Sequence, residues 1–216
     1  MRYELNHQDS SGVIYSGSGD IPLQAFIKHL AFAGFGGFPG PWSLYQFIGV
    51  CRYLGFAFEF QQYWLNDPIC FEIPQPFGDD PTERAYVSNR IGRAFSDYFA
   101  KKIYGAIFTY SYEAAMVLSK HPIIGKRPDF YCDTLSNQFA IEYKGFGRKS
   151  VSEKDMEKYK DQSATGPLKV NFSVASVSYN LYSSPKINFY DPVSENVEYN
   201  ATLNLKLRRN YYQSVR

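Results

Sequence analysis

Residues 125 to 145, "GKRPDFYCDTLSNQFAIEYKG", leave the chain around them few options. Two runs of alternating apolar and polar residues flank a polar stretch, and strand side chains alternate faces with a period of two. With Thr134 to Asn137 as the turn, a common hairpin loop length, Phe130 falls opposite Ile141, Cys132 opposite Phe139 and Asp129 opposite Glu142. The apolar pairs then share one face, and Asp129, Glu142 and Lys144 share the other. A one-residue slip would turn the charges into the core, so one register satisfies both faces.

Two carboxylates directly across a ladder stand about 5 Å apart at Cβ and repel unless something positive lies between them. Hard oxygen ligands at that separation suit Mg²⁺ or Mn²⁺, with waters and the Tyr143 carbonyl completing the shell. Lys144, two residues beyond Glu142 on the same face, is placed to hold or help deprotonate a water and to offset charge on a phosphate. Lys126 and Arg127 precede Asp129, and Arg148 and Lys149 follow Lys144. Such residues grip phosphates and make binding salt-dependent.

A long helix precedes this hairpin in "DDPTERAYVSNRIGRAFSDYFAKKIYG". Asp80 is its cap, Pro81 takes the first helical position and Glu83 completes a capping box. Val87, Ile91, Ala94, Phe95, Tyr98 and Phe99 form its apolar stripe. Residues 104 to 118 fit either strand or helix. After the hairpin, Ser152 caps a short charged helix, with Val151 stapled against Met156, before Gly166 and Pro167. "KVNFSVASVSYNL" and "KINFY" then read as strands. The basic tail "LNLKLRRNYYQSVR" closes the chain.

The residues Pro128-Asp129, then Glu142-Tyr143-Lys144 at the end of the next strand, resemble the PD-(D/E)xK nuclease superfamily, the restriction-endonuclease-like phosphodiesterases. The resemblance covers residues 80 to 180. It implies an α/β fold with an αβββαβ core, a mixed central sheet flanked by helices, in which residues 104 to 118 supply the first strand. It also implies a Mg²⁺-dependent deoxyribonuclease, with Asp129 and Glu142 as metal ligands and Lys144 as the catalytic lysine. Many members add an acid from the first core helix, for which Glu83 is the candidate here, despite its capping role, and Glu113 a weaker one. Some members carry QxxxY in the following helix, where this chain has Tyr159 and then Gln162. A restriction-like or phage-defence endonuclease acting on DNA is the expectation. The alternative is a non-catalytic subunit on the same scaffold that binds a protein partner.

Residues 1 to 78 lie outside the resemblance and read as an aromatic, glycine-rich helical extension to a nuclease-like domain over 79 to 216. "DIPLQAFIKHLAFAGF", capped by Asp20, and "SLYQFIGVCRYLGF", stopped by Gly55, are its helices, joined by the loop "GFGGFPGPW". Such an extension suits packing, a protein or DNA partner, or a homo-oligomer.

The bulk numbers narrow the classes. A net charge of +2 over 216 residues leaves nucleic-acid binding to a local patch. Three cysteines without a CxxC pair indicate neither a disulfide framework nor a zinc site and fit the cytoplasm. The apolar stretches at 21 to 35 and 43 to 60 are interrupted by Lys28, Arg52 and Glu59, so no membrane span is expected. His7, His29 and His121 are scattered and form no metal or triad spacing.

Overall fold

The computed structural model describes residues 1–35, 42–61, 72–73, 80–191 and 197–215. The hairpin forms in the expected register. β4 (Phe130–Asp133) pairs antiparallel with β5 (Gln138–Gly145), with Phe130 opposite Ile141 and Cys132 opposite Phe139. Thr134 N–H donates to the Asn137 carbonyl at 2.9 Å and closes the turn.

Seven strands among the described residues make one mixed sheet in the order β2-β1-β7-β6-β5-β4-β3. The remaining strands are β1 (Arg2–Gln8), β2 (Ile14–Asp20), β3 (Phe108–Ser111), β6 (Phe172–Tyr179) and β7 (Lys186–Tyr190). β3, β4 and β5 form an antiparallel meander, and β6 returns parallel to β5 through α5 (Glu153–Ser163). Residues 104 to 118, open to either reading, hold both: β3, then α4 (Tyr112–Leu118), which starts where the Ser111 hydroxyl accepts from Ala114 N–H.

Helices cover both faces. α1 (Leu23–Phe32) and α3 (Pro81–Tyr104) pack over Phe130, Phe139, Ile141, Val174 and Phe189. α4, α5 and α6 (Ala201–Val215) cover the other face, where Phe108, Tyr110 and Tyr131 meet Leu203, Leu207 and Tyr211. α3 begins as expected, with the Asp80 carboxylate accepting from Thr82 N–H at 2.8 Å. It ends at Gly105 in the left-handed conformation, φ 67°, that glycine adopts without strain. The Ser152 cap of α5 accepts from Asp155 N–H at 3.1 Å, and Val151 packs against the cluster holding Met156.

The N-terminal region differs from the expected helical extension. Residues 2 to 20 are strands of the common sheet, because Tyr3 and Leu5 turn into the core while β1 pairs with β7 in parallel. Asp20 is the last residue of β2 rather than a helix cap. It pairs with Arg2, and α1 follows Pro22 with no side-chain cap. Gly55 does not stop the second helix. α2 runs from Trp42 to Gln61, packs on α1 and α6, and carries the glycine in its interior. That costs about 1 kcal/mol relative to alanine, which the packing offsets. Most of the "GFGGFPGPW" loop and the 78/79 boundary fall outside the described residues. None of the described helices is long and apolar enough to cross a membrane.

Candidate functional site

β4 and β5 are unequal in length, and the site lies where β4 begins. Asp129 stands just before β4, held by its N–H to the Ile141 carbonyl at 2.9 Å and by its carbonyl, which accepts from Tyr112 N–H at 3.0 Å. Its carboxylate Oδ2 accepts from Tyr143 N–H at 3.0 Å. Side-chain alternation along β5 puts Glu142 and Lys144 on the Asp129 side and turns Tyr143 to the α3 side.

The three side chains converge. Lys144 Nζ lies 2.5 Å from Glu142 Oε1 and 3.5 Å from Asp129 Oδ2. Glu142 Oε1 is thus ion-paired with Lys144, while its Oε2 is buried with no hydrogen-bond partner. Glu142 has no exposed side-chain surface, whereas Asp129 and Lys144 keep about a third of theirs (32% and 28%). The apolar cluster of Met156, Ala175 and Val177 lies on this sheet face, beneath α5.

The electrostatics follow from that asymmetry. Burial, reinforced by the Asp129 charge and only partly opposed by Lys144, pushes the Glu142 carboxyl up to about 7. Burial works against the charge on Lys144 as well, but Asp129 and Glu142 outweigh it and hold the amine above its ordinary range.

The donor set fits a hard cation. Asp129 and Glu142 offer carboxylate oxygens, of which Glu142 Oε2 is buried without a hydrogen-bond partner. In an extended strand the N–H and C=O of one residue point the same way, so the Tyr143 carbonyl faces Asp129 as its N–H does. Among the described residues no group of three or more His, Cys, Asp or Glu converges. Two carboxylates are too few for a structural zinc site or an all-protein calcium cage, but Mg²⁺ is commonly held by one or two, together with waters and substrate phosphates.

Glu83 is not brought to this cluster. It is exposed in the first turn of α3, five residues before Ser88, which with Gly92 is where α3 touches Gly145. That is about 7.5 Å of helix rise and about 140° of rotation away. Glu113 is engaged by the Arg127 guanidinium instead. Of the basic residues singled out, Arg148 and Lys149 line the same groove as Lys144, while Lys126 is exposed near the Asp129 end. Arg148 also pairs with Asp155 at 2.9 Å. From α5, the Tyr159 ring centre lies 5.9 Å from Lys144 Nζ, and the Gln162 amide donates to the Arg127 carbonyl at 3.4 Å.

The groove has a volume of about 880 Å³ and runs between the N-terminal half of α3, the end of β5 and the Tyr182 loop. Arg84 joins Lys144, Arg148 and Lys149 in lining it, and among the described residues no acidic side chain does. Asn89 continues into a second hollow that holds Arg52, Arg90 and Arg93. These α3 arginines were not singled out from the sequence. The signal that could have found them is the helical recurrence of Tyr86, Asn89, Arg90 and Arg93 beside the apolar stripe. No family model, curated protein or solved structure matches this chain.

Proposed function

We propose that this chain is a metal-dependent nuclease that hydrolyses phosphodiester bonds in DNA. The observation that carries the reading is the convergence of Asp129, Glu142 and Lys144, with Glu142 fully buried, its Oε1 ion-paired to Lys144 and its Oε2 lacking a hydrogen-bond partner. A carboxylate so buried is costly to ionise, Lys144 offsets that cost only in part, and a divalent cation shared with Asp129 would favour the charged form further. Support also comes from the element order α3, β3, α4, β4, β5, α5, β6, which matches an αβββαβ core apart from the short helix α4 inserted between the first two strands, and from the basic groove beside Lys144.

Asp129, Glu142 and the Tyr143 carbonyl would hold Mg²⁺ or Mn²⁺, which supplies Lewis acidity toward the phosphate and acidifies a bound water. Lys144 orients the attacking water and steadies the charge that develops on the phosphoryl oxygens. Arg84, Arg148 and Lys149 position the strand through its phosphates. Water attack forms a new O–P bond and breaks the bond from phosphorus to the leaving oxygen, which takes up a proton. The resemblance implies 5′-phosphate and 3′-hydroxyl ends, and a restriction-like or defence role.

The test is cleavage of linear, circular, single-stranded and branched DNA with and without Mg²⁺. Asp129→Ala and Lys144→Ala abolish it if the reading holds; variants that cut as well as the parent overturn it. The alternative is a non-catalytic, partner-binding subunit, favoured by the apolar stripe of Phe47, Val50, Leu54 and Phe58 exposed along α2. Calorimetric titration with Mn²⁺ separates the two, since metal binding that depends on Asp129 and Glu142 belongs to the nuclease reading alone.

A further inference from the structure

We infer that Arg52, Arg90 and Arg93 form an anion site that holds a phosphate of the nucleic-acid strand beside the Asp129–Glu142–Lys144 cluster. The inference deepens the nuclease reading and rests on it for the identity of the strand.

The three guanidiniums come together from α2 and α3 around a hollow of about 490 Å³, walled by Phe56, Tyr86 and Tyr143. Among the described residues the acid on the hollow is Glu59, 3.1 Å from Arg90. Three positive charges and one negative charge in so small a space repel one another unless an anion joins them. Burial, and then the charges of Arg93 and Arg90, lower the proton affinity of Arg52, as such crowding requires.

The arginines are set up for planar recognition. Arg90 Cζ stands 4.4 Å from the Phe56 ring centre and 5.1 Å from that of Tyr86, and Arg52 Cζ stands 5.3 Å from that of Phe35. A guanidinium resting on an aromatic face directs its N–H edge sideways, the geometry that meets phosphate oxygens in pairs. Backbone carbonyls anchor two of them: Arg52 Nε donates to Ala31 O at 2.9 Å, and Arg93 Nη2 donates to Ala33 O. Arg93 Nε, by contrast, is buried with no hydrogen-bond partner, an uncommon state for a charged donor.

Two features put the hollow next to the cluster, within reach of a strand that passes over the end of β5. Tyr143 lies between Glu142 and Lys144 on β5 and lines the hollow from the opposite face. Asn89 lines both the hollow and the Lys144 groove, so the two are neighbours separated by that side chain. The aromatic walls suit the base or sugar next to the phosphate, because stacking on a ring tolerates any base.

The test is fluorescence anisotropy of a labelled single-stranded oligonucleotide in EDTA, where cleavage is not read. Glu59→Gln tightens binding, while Arg52→Gln and Arg90→Gln each weaken it by about tenfold. Each arginine variant also lowers the salt slope by about one. Glu59→Gln guards against misreading a folding defect, since removing the pocket's acid improves binding only if the pocket takes an anion. Inorganic phosphate and 5′-phosphorylated or 5′-hydroxyl oligonucleotides serve as competitors. A preference for the phosphorylated end or for free phosphate that Arg52→Gln abolishes assigns the site to a terminal phosphate. Equal competition by the two oligonucleotides assigns it to a phosphodiester. Arginine variants that bind with unchanged affinity and slope overturn the site, even if the parent cuts DNA. A parent that binds through these arginines but never cuts with Mg²⁺ would retire the nuclease reading and leave the anion site standing.

Discussion

The Asp129 carboxylate reaches across the end of the hairpin and accepts the backbone N–H of Tyr143 at 3.0 Å. The bond continues the ladder by one rung beyond β4 with a side chain in place of a carbonyl, and it fixes Asp129 against the strand that carries Glu142 and Lys144. Asp129→Asn keeps an acceptor for that N–H and removes the charge. Its stability should stay within about 0.5 kcal/mol of the parent, while Mn²⁺ binding and cleavage fall by at least about a hundredfold. Asp129→Ala should lose both the metal and about 1–2 kcal/mol of stability, because the N–H loses its partner. Denaturant melts beside Mn²⁺ calorimetry on both variants check this.

Glu142 carries a cost whose sign is fixed by its environment. Its carboxyl is pushed up to about 7 from an ordinary value near 4.5, so the folded state binds its proton more tightly than the unfolded chain does. Stability from this group is therefore present in full below about pH 4.5 and is lost as pH rises toward 7, to the extent of on the order of 3 kcal/mol. Without divalent metal, Glu142→Gln should exceed the parent in stability at pH 8 and match it near pH 5. Added Mn²⁺ should stabilise the parent and leave the variant unmoved. Thermal melts at the two pH values, with and without metal, decide it, and a variant less stable than the parent at pH 8 would contradict the assignment.

The hairpin register, the Asp80 and Ser152 caps and the strand character of β6 and of β7 were legible because each is decided by neighbours in sequence. The alternation Phe130, Cys132 against Phe139, Ile141 admits one pairing, and a cap needs only the residues of its own first turn. β1 and β2 were not legible. "IYSGSGD" lies largely exposed at the sheet edge and needs no apolar alternation, and Gly19 is small because the Tyr3 side chain occupies the space its Cβ would take. The continuation of α2 through Gly55 reflects packing on α1 and α6, and packing overrides propensity. Of the site, the three residues on one hairpin could be read from spacing alone. The arginine cluster could not, because Arg52 lies far in sequence from Arg90 and Arg93, and only the helix packing brings them together.

α3 positions Lys144 through its backbone rather than through side chains. A Cβ on Gly92 would stand 2.7 Å from Lys144 O and 2.8 Å from Gly145 N, both rigid backbone atoms. Helix and strand touch here at a distance that only glycine permits. Gly92→Ala should force them apart, costing about 1–3 kcal/mol despite the better helix propensity of alanine. Because the displaced strand carries Lys144, cleavage should fall by more than the loss of folded protein explains. Rates normalised to the folded fraction test this. A variant as stable and as active as the parent would show that the contact does not position the lysine.

Asp97 ties three elements together beneath the same sheet. It is fully buried on α3, 2.6 Å from His29 Nδ1 of α1 and 2.8 Å from Lys101 Nζ, and it accepts from the Thr109 hydroxyl of β3 at 2.5 Å. Burial alone would raise its proton affinity, but the Lys101 charge and the His29 hydrogen bond prevail and hold the carboxyl well below the usual carboxylate range. The folded state therefore resists protonation that the unfolded chain accepts near pH 4. The stabilisation is complete above that pH and is lost as pH falls through the folded value. Removing one partner of a buried charge pair leaves the others uncompensated, so Asp97→Asn should cost about 3–5 kcal/mol at pH 7. The difference between parent and variant should shrink steadily below pH 4, because the parent alone loses the contribution. Urea melts from pH 7 to pH 3 measure it, and a gap that stays constant across that range would mean that Asp97 acts by shape and hydrogen bonding rather than by its charge.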